Sequence, residues 1–427
     1  MMPLLINPKS DALKSILERG KVDYPIEEKR VRDIIARIEK KGDNALFEAT
    51  RRFDKIRLTI KTVRISQTEL KQQATKCPKP LQKAIRQAIE NIRLFHQKQL
   101  PTGYEIKRHG IRLAQQVLPL DSVGLYIPGG SAPLFSTILM TAIPAQIAGV
   151  KRIAAVTPPS HFGLHPAMAY AFSRLGITEV YRLGGAQAIA ALALGTASVP
   201  RVDKIVGPGN LYVSLAKKIL FGRTDIDMIA GPSEICIIAD KEAPSAFVAR
   251  DLLSQAEHGT GRESAVLLTD SPILAEAVVR ELNRIVPDTK AAAPLRQALQ
   301  TYGLIAVLPS LSACADFSNK MAPEHLELMV RQPRLLLKKI KHAGSVFLGD
   351  WTCESLGDYF AGPNHVLPTH STARFFSPLG VYHFIKRMNV TEYDRNAFMA
   401  SGKAVAAMAE AEGLFFHADA AHIRLYA

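Results

Sequence analysis

The sequence predicts an α/β protein with two doubly wound parallel sheets, and two features of the residues after about position 110 carry that prediction. The first is alternation: short apolar runs of strand length are each followed by a helical stretch, the signature of parallel sheets wrapped by helices. The second is number. Six or more such units exceed one compact mononucleotide fold, and a chain of 427 residues that is 47% hydrophobic is long enough for two or three domains.

Taken in order, residues 1–110 are basic and helical, as in "EEKRVRDIIARIEKKG" and "PLQKAIRQAIENIRLFHQKQL". They hold 25 Lys and Arg against 13 Asp and Glu, so +12 of the net +15 lies in the first quarter of the chain. These charges alternate with acids and apolar positions, and no aromatic-interleaved basic strand or base-reading motif occurs, so the charge reads as solvated helix faces and not as a nucleic-acid surface. Then come "VGLYIPGG", "RIAAVTPP", "VYRLGGAQ", "KIVGPGN", "SEICIIAD", "SAVLLTD", "GLIAVLPS" and "GSVFLG", each a strand candidate. From Gly380 onward "LGVYHFIKRM" and "RNAFMASGKAVAAMAEAEGL" read as a helical tail. No run of eighteen apolar residues occurs, and the first residues lack a charged leader followed by an apolar run, which predicts a protein neither secreted nor membrane-spanning. Cys77, Cys236, Cys314 and Cys353 are scattered without Cys-x-x-Cys spacing, which suits a reducing cytoplasm and excludes a cysteine-rich zinc module.

Four glycine-rich turns stand at strand–helix junctions: "YIPGGSAP" (126–133), "LGGAQ" (183–187), "VGPGN" (206–210) and "AGPSE" (230–234). In open α/β sheets ligands bind beyond the carboxyl ends of strands, where such turns let the backbone approach and helix N-termini meet anions. None is a G-x-G-x-x-G fingerprint or a P-loop, but four in about a hundred residues predict a shared cleft with a nucleotide as occupant.

Polar constellations are fewer. In "DLLSQAEHGTG" (251–261) a helix over 244–258 ends, with Gly259 placed for a left-handed cap and His258 favoured by the helix dipole. Gln255 and His258 share a face, and Val248, Leu252 and Gln255 continue one mostly apolar stripe, which turns the glutamine inward, where it needs a partner. Helix end and metal ligands both remain open readings. "MAPEHLEL" sets Glu324 beside His325; neighbours cannot share a helix face, so a turn or a helix start is expected, either as a proton-transfer pair or as a capped helix with a surface histidine. "ESLGDYFAGPNHVLPT" carries Asp358 and His365 around a Gly-Pro-Asn turn, with ligand types suited to zinc or manganese or simply to a polar loop. The tail carries Glu412, His417 and His422, where exposure is the default.

Together "LYIPGG", "GGAQAIAALA", "VDKIVGPGN", "AGPSE", "DLLSQAEH", "PEHLE", "GDYFAGPNHVLPT" and "EAEGLFFH" make the chain resemble the histidinol dehydrogenase family over nearly its whole length. The resemblance implies two Rossmann-like domains, one inserted in the other: an arm at 1–22, a split domain at 23–125 and 235–379, an inserted NAD-contacting domain at 126–234, and a tail at 380–427 that completes the site of a partner in a homodimer. It implies one zinc per site, with manganese as the alternative, held by Gln255, His258, Asp358 and His417. Glu324 and His325 match the catalytic pair. Ser233, Gln255, His258, His325, Asp358, His365, Glu412 and His417 match substrate contacts, and Tyr126, Gln187 and Asn210 match NAD contacts.

The reaction implied is oxidation of L-histidinol to L-histidine by two NAD through bound histidinal, with His325 as proton acceptor and Glu324 activating water. The family extends to sulfopropanediol dehydrogenase, so another alcohol is the alternative substrate. This chain departs from the family's usual pattern in having Cys353 where proline is common and in a longer "HGTGRES" segment.

Overall fold

The computed structural model describes residues 2–20, 23–129, 133–286 and 292–427; Gly130, Ser131 and Ala132 of the first glycine-rich turn lie outside the described residues. Among the described residues the strands, numbered along the chain, are β1 (Leu4–Ile6), β2 (Tyr104–Arg108), β3 (Ile111–Pro119), β4 (Ser122–Tyr126), β5 (Arg152–Thr157), β6 (Glu179–Arg182), β7 (Lys204–Val206), β8 (Asp225–Ile226), β9 (Glu234–Ala239), β10 (Ser264–Thr269), β11 (Gly303–Val307), β12 (His325–Met329), β13 (Ser345–Leu348) and β14 (Ile385–Tyr393). They form three sheets. Two are parallel throughout, in the orders β6-β5-β4-β7-β8 and β1-β11-β10-β9-β12-β13. The strand order reverses at β4 in one and at β9 in the other, so both are doubly wound. The chain starts the six-stranded sheet with β1, leaves it to build the five-stranded sheet, and returns at β9.

The apolar strands come from being covered on both faces. Every residue of β9, β10 and β11 is buried. Helices Ser245–Ala256 and Pro272–Ile285 pack one face of that sheet through Val248, Leu252, Leu274 and Val278, and helix Leu311–Met321 packs the other through Cys314, Phe317 and Met321.

Two expectations are corrected. The helices of residues 23–125 share their cores chiefly with β4–β8, and from 235–379 Val366 and Leu379 join them. Helices Pro25–Lys41 and Asp43–Phe53 bury Val31, Ile35, Ile38 and Leu46 in one core with Tyr126, Ile189 and Val213. Helices Gln67–Thr75 and Lys79–Gln97 bury Leu70, Ile85 and Ile92 with Ile138 and Phe172. Each of these helices has one apolar face, and the sheet of β4–β8 is the surface that covers it, so residues 25–97 belong with β4–β8 and no boundary falls between them. The tail, in turn, is not helical from Gly380. Residues Ile385–Tyr393 form β14, which pairs antiparallel with β3 over nine residues, and only then do helices Arg395–Ala411 and Phe415–Leu425 follow. The β-branched Ile385, Val390 and Thr391 were the weak strand signal. Among the described residues no helix is long and apolar enough to cross a membrane.

Candidate active site

Helix Leu311–Met321 ends at Ala322, which takes the left-handed conformation (φ 47°), and Pro323, which cannot continue a helix, leads through Glu324 into β12. Glu324 and His325 therefore sit on neither a surface turn nor a helix start. His325 is the first residue of an interior strand and is 3% exposed; Glu324 is 7% exposed. The strand next door holds both. The Glu234 N–H donates to the Glu324 carboxylate at 2.9 Å, and the Glu234 carbonyl lies 3.0 Å from His325 Nδ1. A carbonyl only accepts, so Nδ1 carries the proton and Nε2 is the free basic nitrogen of the neutral ring. That Nε2 is buried without a hydrogen-bond partner, 3.7 Å from Asp358 Oδ1, and Phe347 stacks beside the ring.

Asp358 arrives on the short helix Glu354–Tyr359, which touches β12 at Glu327 and β13 at Phe347. Gly357 permits this approach: a Cβ there would meet the Phe347 ring at 2.5 Å. Glu354 and Asp358 are four apart and share a face, and with His325 they place ligand atoms within 4.8 Å of one another, the one such group of His, Cys, Asp or Glu among the described residues. Behind them Glu327 accepts the Glu354 N–H at 2.8 Å and leaves its second oxygen buried without a partner. Cys353 is half-buried at the N-cap of that helix.

The titrations of these groups tell one story. Burial pushes Glu324 up to about 8 and Glu354 up to about 8, and Asp251 behind Glu327 up to about 6. For His325 burial disfavours the charge, yet the Glu324 and Asp358 carboxylates outweigh it and raise the ring to about 10, so Nε2 becomes the free base only where a bound cation offsets those carboxylates. Burial likewise opposes ionisation of Asp358, but the neighbouring His325 and His365 hold it below the ordinary carboxylate range. The site is short of positive charge and retains protons in its place, which is the electrostatic setting that a bound cation relieves.

Gln255 lies on the helix Ser245–Ala256 next to Ser254, whose hydroxyl donates to Glu354 at 3.1 Å. It is fully buried, and neither its amide nitrogen nor its oxygen has a partner. His258 is exposed one turn on, with Nδ1 3.0 Å from the Gln255 carbonyl, which leaves Nε2 as the lone-pair nitrogen in the manner of a metal ligand braced by backbone. Gly259 takes φ 83° as expected, and the longer segment that follows is closed by Glu263, which accepts from Thr260 and from the Arg262 N–H.

The other predicted residues fall at the junction of the two sheets. The turns after β4, β6 and β7 lie at carboxyl ends, whereas "AGPSE" and the Glu324–His325 pair lie at the amino ends of β9 and β12. The predicted residues thus stand at carboxyl ends in one sheet and at amino ends in the other. The Ser214 hydroxyl donates to the Ala230 carbonyl, and the Asn364 amide donates to the Met140 carbonyl, so loops flanking the six-stranded sheet dock on helices Leu211–Leu220 and Phe135–Ala148. Ser233 precedes Glu234, and half-buried His365 keeps a buried, unpartnered Nε2 with its proton affinity lowered by burial. Tyr126 ends β4; its hydroxyl accepts the Gly185 N–H and is pushed up to about 12 by burial. Gln187 is buried and donates to Asp54, and Asn210 caps helix Leu211–Leu220. Gly207 (φ 114°) lets that turn close onto Tyr126, whose carbonyl a Cβ would meet at 2.3 Å. Beside them a cavity of about 360 Å³ opens at the ends of β4, β5 and β6, lined by Gly129, Thr157, Pro158, His165 and Arg182.

Glu412 and His417 stand apart. Both are exposed on the two-helix tail, whose helices pack chiefly on each other. Sequence reasoning passed over Glu354, Glu327 and Glu234. The i, i+4 pair of acids in "ESLGD" was a usable signal, because like charges on one helix face are unfavourable unless something sits between them.

Two doubly wound sheets meeting at a buried carboxylate–imidazole pair define an α/β enzyme. The histidinol dehydrogenase family model matches residues 17–425. A histidinol dehydrogenase of Halalkalibacterium halodurans is 46% identical over 418 residues, 97% of each chain, and one of Aquifex aeolicus is 45% identical over 416 residues, 97% of this chain and 96% of the relative. The crystal structure of histidinol dehydrogenase from Elizabethkingia anophelis superposes with a TM-score of 0.92 at 39% identity, covering 100% of this chain and 98% of that one. The chain belongs to the histidinol dehydrogenase family and is an oxidoreductase.

Proposed function

We propose that this enzyme catalyses the NAD-dependent four-electron oxidation of L-histidinol to L-histidine through bound L-histidinal, the closing reaction of histidine biosynthesis. The observation that carries this reading is the pair itself: a histidine with Nδ1 fixed by a backbone carbonyl and Nε2 buried and free, beside a buried carboxylate. In the first oxidation His325 Nε2 takes the alcohol proton as hydride leaves the carbinol carbon for the nicotinamide. As water adds to the aldehyde, Glu324 takes a proton from the water and His325 returns its proton to the aldehyde oxygen; the neutral His325 then takes the hydrate's hydroxyl proton as the second hydride leaves. Burial of the pair keeps the reactive aldehyde from solvent.

The residues present fit a zinc ion. Gln255 is buried with both amide atoms unpartnered, His258 has its lone-pair nitrogen free, and Asp358 is ionised in a site short of positive charge. Bound there, zinc would supply a template that orients the substrate's nitrogens and alcohol carbon. The cluster of His325, Glu354 and Asp358 is the competing ligand set, but it would occupy the Nε2 that must accept protons. For NAD, the N-terminus of helix Gly185–Leu194, Tyr126, Gln187, Asn210 and the adjoining cavity supply an anion site and room for the dinucleotide.

The fourth ligand, His417, with Glu412, would come from a second copy of the chain. Phe415 (71% exposed), Phe416 (81%) and Tyr426 (86%) give the tail an apolar surface beside those two residues, as an interface requires. His325→Asn and His417→Ala, each inactive alone, are expected on co-refolding to recover about a quarter of wild-type turnover through randomly paired dimers. No recovery would place the tail in its own site.

The substrate is tested by comparing kcat/KM across alcohols. L-histidinol is expected to exceed 2,3-dihydroxypropane sulfonate by several orders of magnitude. The reverse order would make the chain a relative acting on another alcohol.

A further inference from the structure

The motif "AGPSE" contributes Ser233 to the proposed substrate contacts but leaves Glu234 without a task, and Glu234 is the residue whose backbone holds both members of the catalytic pair. Its N–H bonds Glu324 and its carbonyl bonds His325. Its side chain is equally constrained. Arg19, from the N-terminal arm 215 positions earlier, grips the carboxylate with two hydrogen bonds of 2.7 and 2.6 Å, and the two side chains are 3% and 1% exposed. The same guanidinium donates to the Met321 carbonyl at 3.1 Å, three residues before Glu324, and to the Ser371 hydroxyl at 3.3 Å. The His370 N–H donates to the Glu234 carboxylate at 3.0 Å.

Three residues around this knot hold positive φ without being glycine: Ala322 (47°), His370 (52°) and Ser371 (62°). Such conformations persist only where the surroundings over-determine them. The His370 ring is wedged where Gly20 and Gly231 make room, since a Cβ on Gly231 would meet it at 2.2 Å. A buried ion pair is generally no more stabilising than a well-packed apolar pair, so stability alone does not account for charge at this place.

We propose that Arg19 and Glu234 act as positioning residues for the Glu324–His325 pair. The guanidinium ties the start of β9 to the end of helix Leu311–Met321, and so fixes where Glu324 and the protonated Nδ1 of His325 stand relative to each other. Neither residue touches substrate. This inference rests on the proposed role of His325 as proton acceptor.

The test uses the full-length, zinc-loaded dimer with L-histidinol and NAD. Arg19→Met is expected to lower kcat by roughly tenfold or more while KM for both substrates stays within about twofold, since sub-ångström misplacement costs turnover and not binding. Arg19→Lys keeps the charge but not the two-pronged grip, and is expected to fall between Arg19→Met and wild type. Arg152→Met, which breaks the Arg152–Glu179 pair at the start of β5, serves as control and is expected to lower Tm with kcat unchanged. Folded Arg19→Met with wild-type kcat would overturn the proposal. If Arg19→Met does not fold, wild-type kcat in Arg19→Lys would overturn it equally. His325→Asn is measured alongside: retained activity there removes the role of His325 itself, whereas an inactive His325→Asn with a fully active Arg19→Met removes only the positioning role.

Discussion

Replacing His325 by asparagine lowers kcat by about 10²–10⁴-fold, the range a positioned general base contributes. Asparagine is chosen because its amide can still donate to the Glu234 carbonyl that now holds Nδ1, so the strand start keeps its hydrogen bond. What is lost is Nε2, the buried nitrogen with no partner. KM for the alcohol should change little, because the nitrogen acts on a proton and not on the ground state. Steady-state kinetics with both substrates saturating decides it. A variant with kcat within a few-fold of wild type would show that another group takes the proton; Glu354, also raised to about 8, would be the next to examine.

Replacing Asp358 by asparagine has the second large effect, read first on the metal. Asp358 is the ionised carboxylate of the buried cluster and the ligand to zinc in the proposed set. Its loss is expected to weaken zinc affinity by about 100-fold or more, at least matching the loss seen when residues behind a ligand are changed. Zinc retained after desalting, measured by atomic absorption, checks this independently of turnover. Zinc at full occupancy in Asp358→Asn would move the metal away from this carboxylate. Activity should fall with zinc content, and the neutral amide should also lower the proton affinity of His325, because Asp358 is one of the charges that raise it.

Much of the fold was legible because parallel sheets buried on both faces write continuous apolar runs. "SEICIIAD" and "SAVLLTD" became β9 and β10 with every strand residue buried. The inward turn of Gln255 was legible for a related reason: a polar residue in an apolar helical stripe has to be accommodated. Other features were not local. Helices of residues 25–97 announce an apolar face but not which sheet covers it, and only the packed core assigns them to β4–β8. The strand "IKRMNVTEY" is mostly exposed and is held by β3, more than 260 residues away, so its sequence carries little hydrophobic pattern. Glu324 and His325 read as a turn or a helix start because neighbours cannot share a helix face, whereas the left-handed turn at Ala322 feeds an interior strand. Arg19 gave no signal at all. A lone arginine in a basic arm looks solvated until Glu234 is found beside it.

The central claim is that one site carries out two successive oxidations. It is tested most directly by the moles of NADH formed per mole of L-histidinol when zinc-loaded protein consumes a limiting amount of the alcohol in excess NAD. Two NADH per histidinol, with histidine as the product, is the predicted result. One NADH per histidinol, with the aldehyde accumulating, would contradict it.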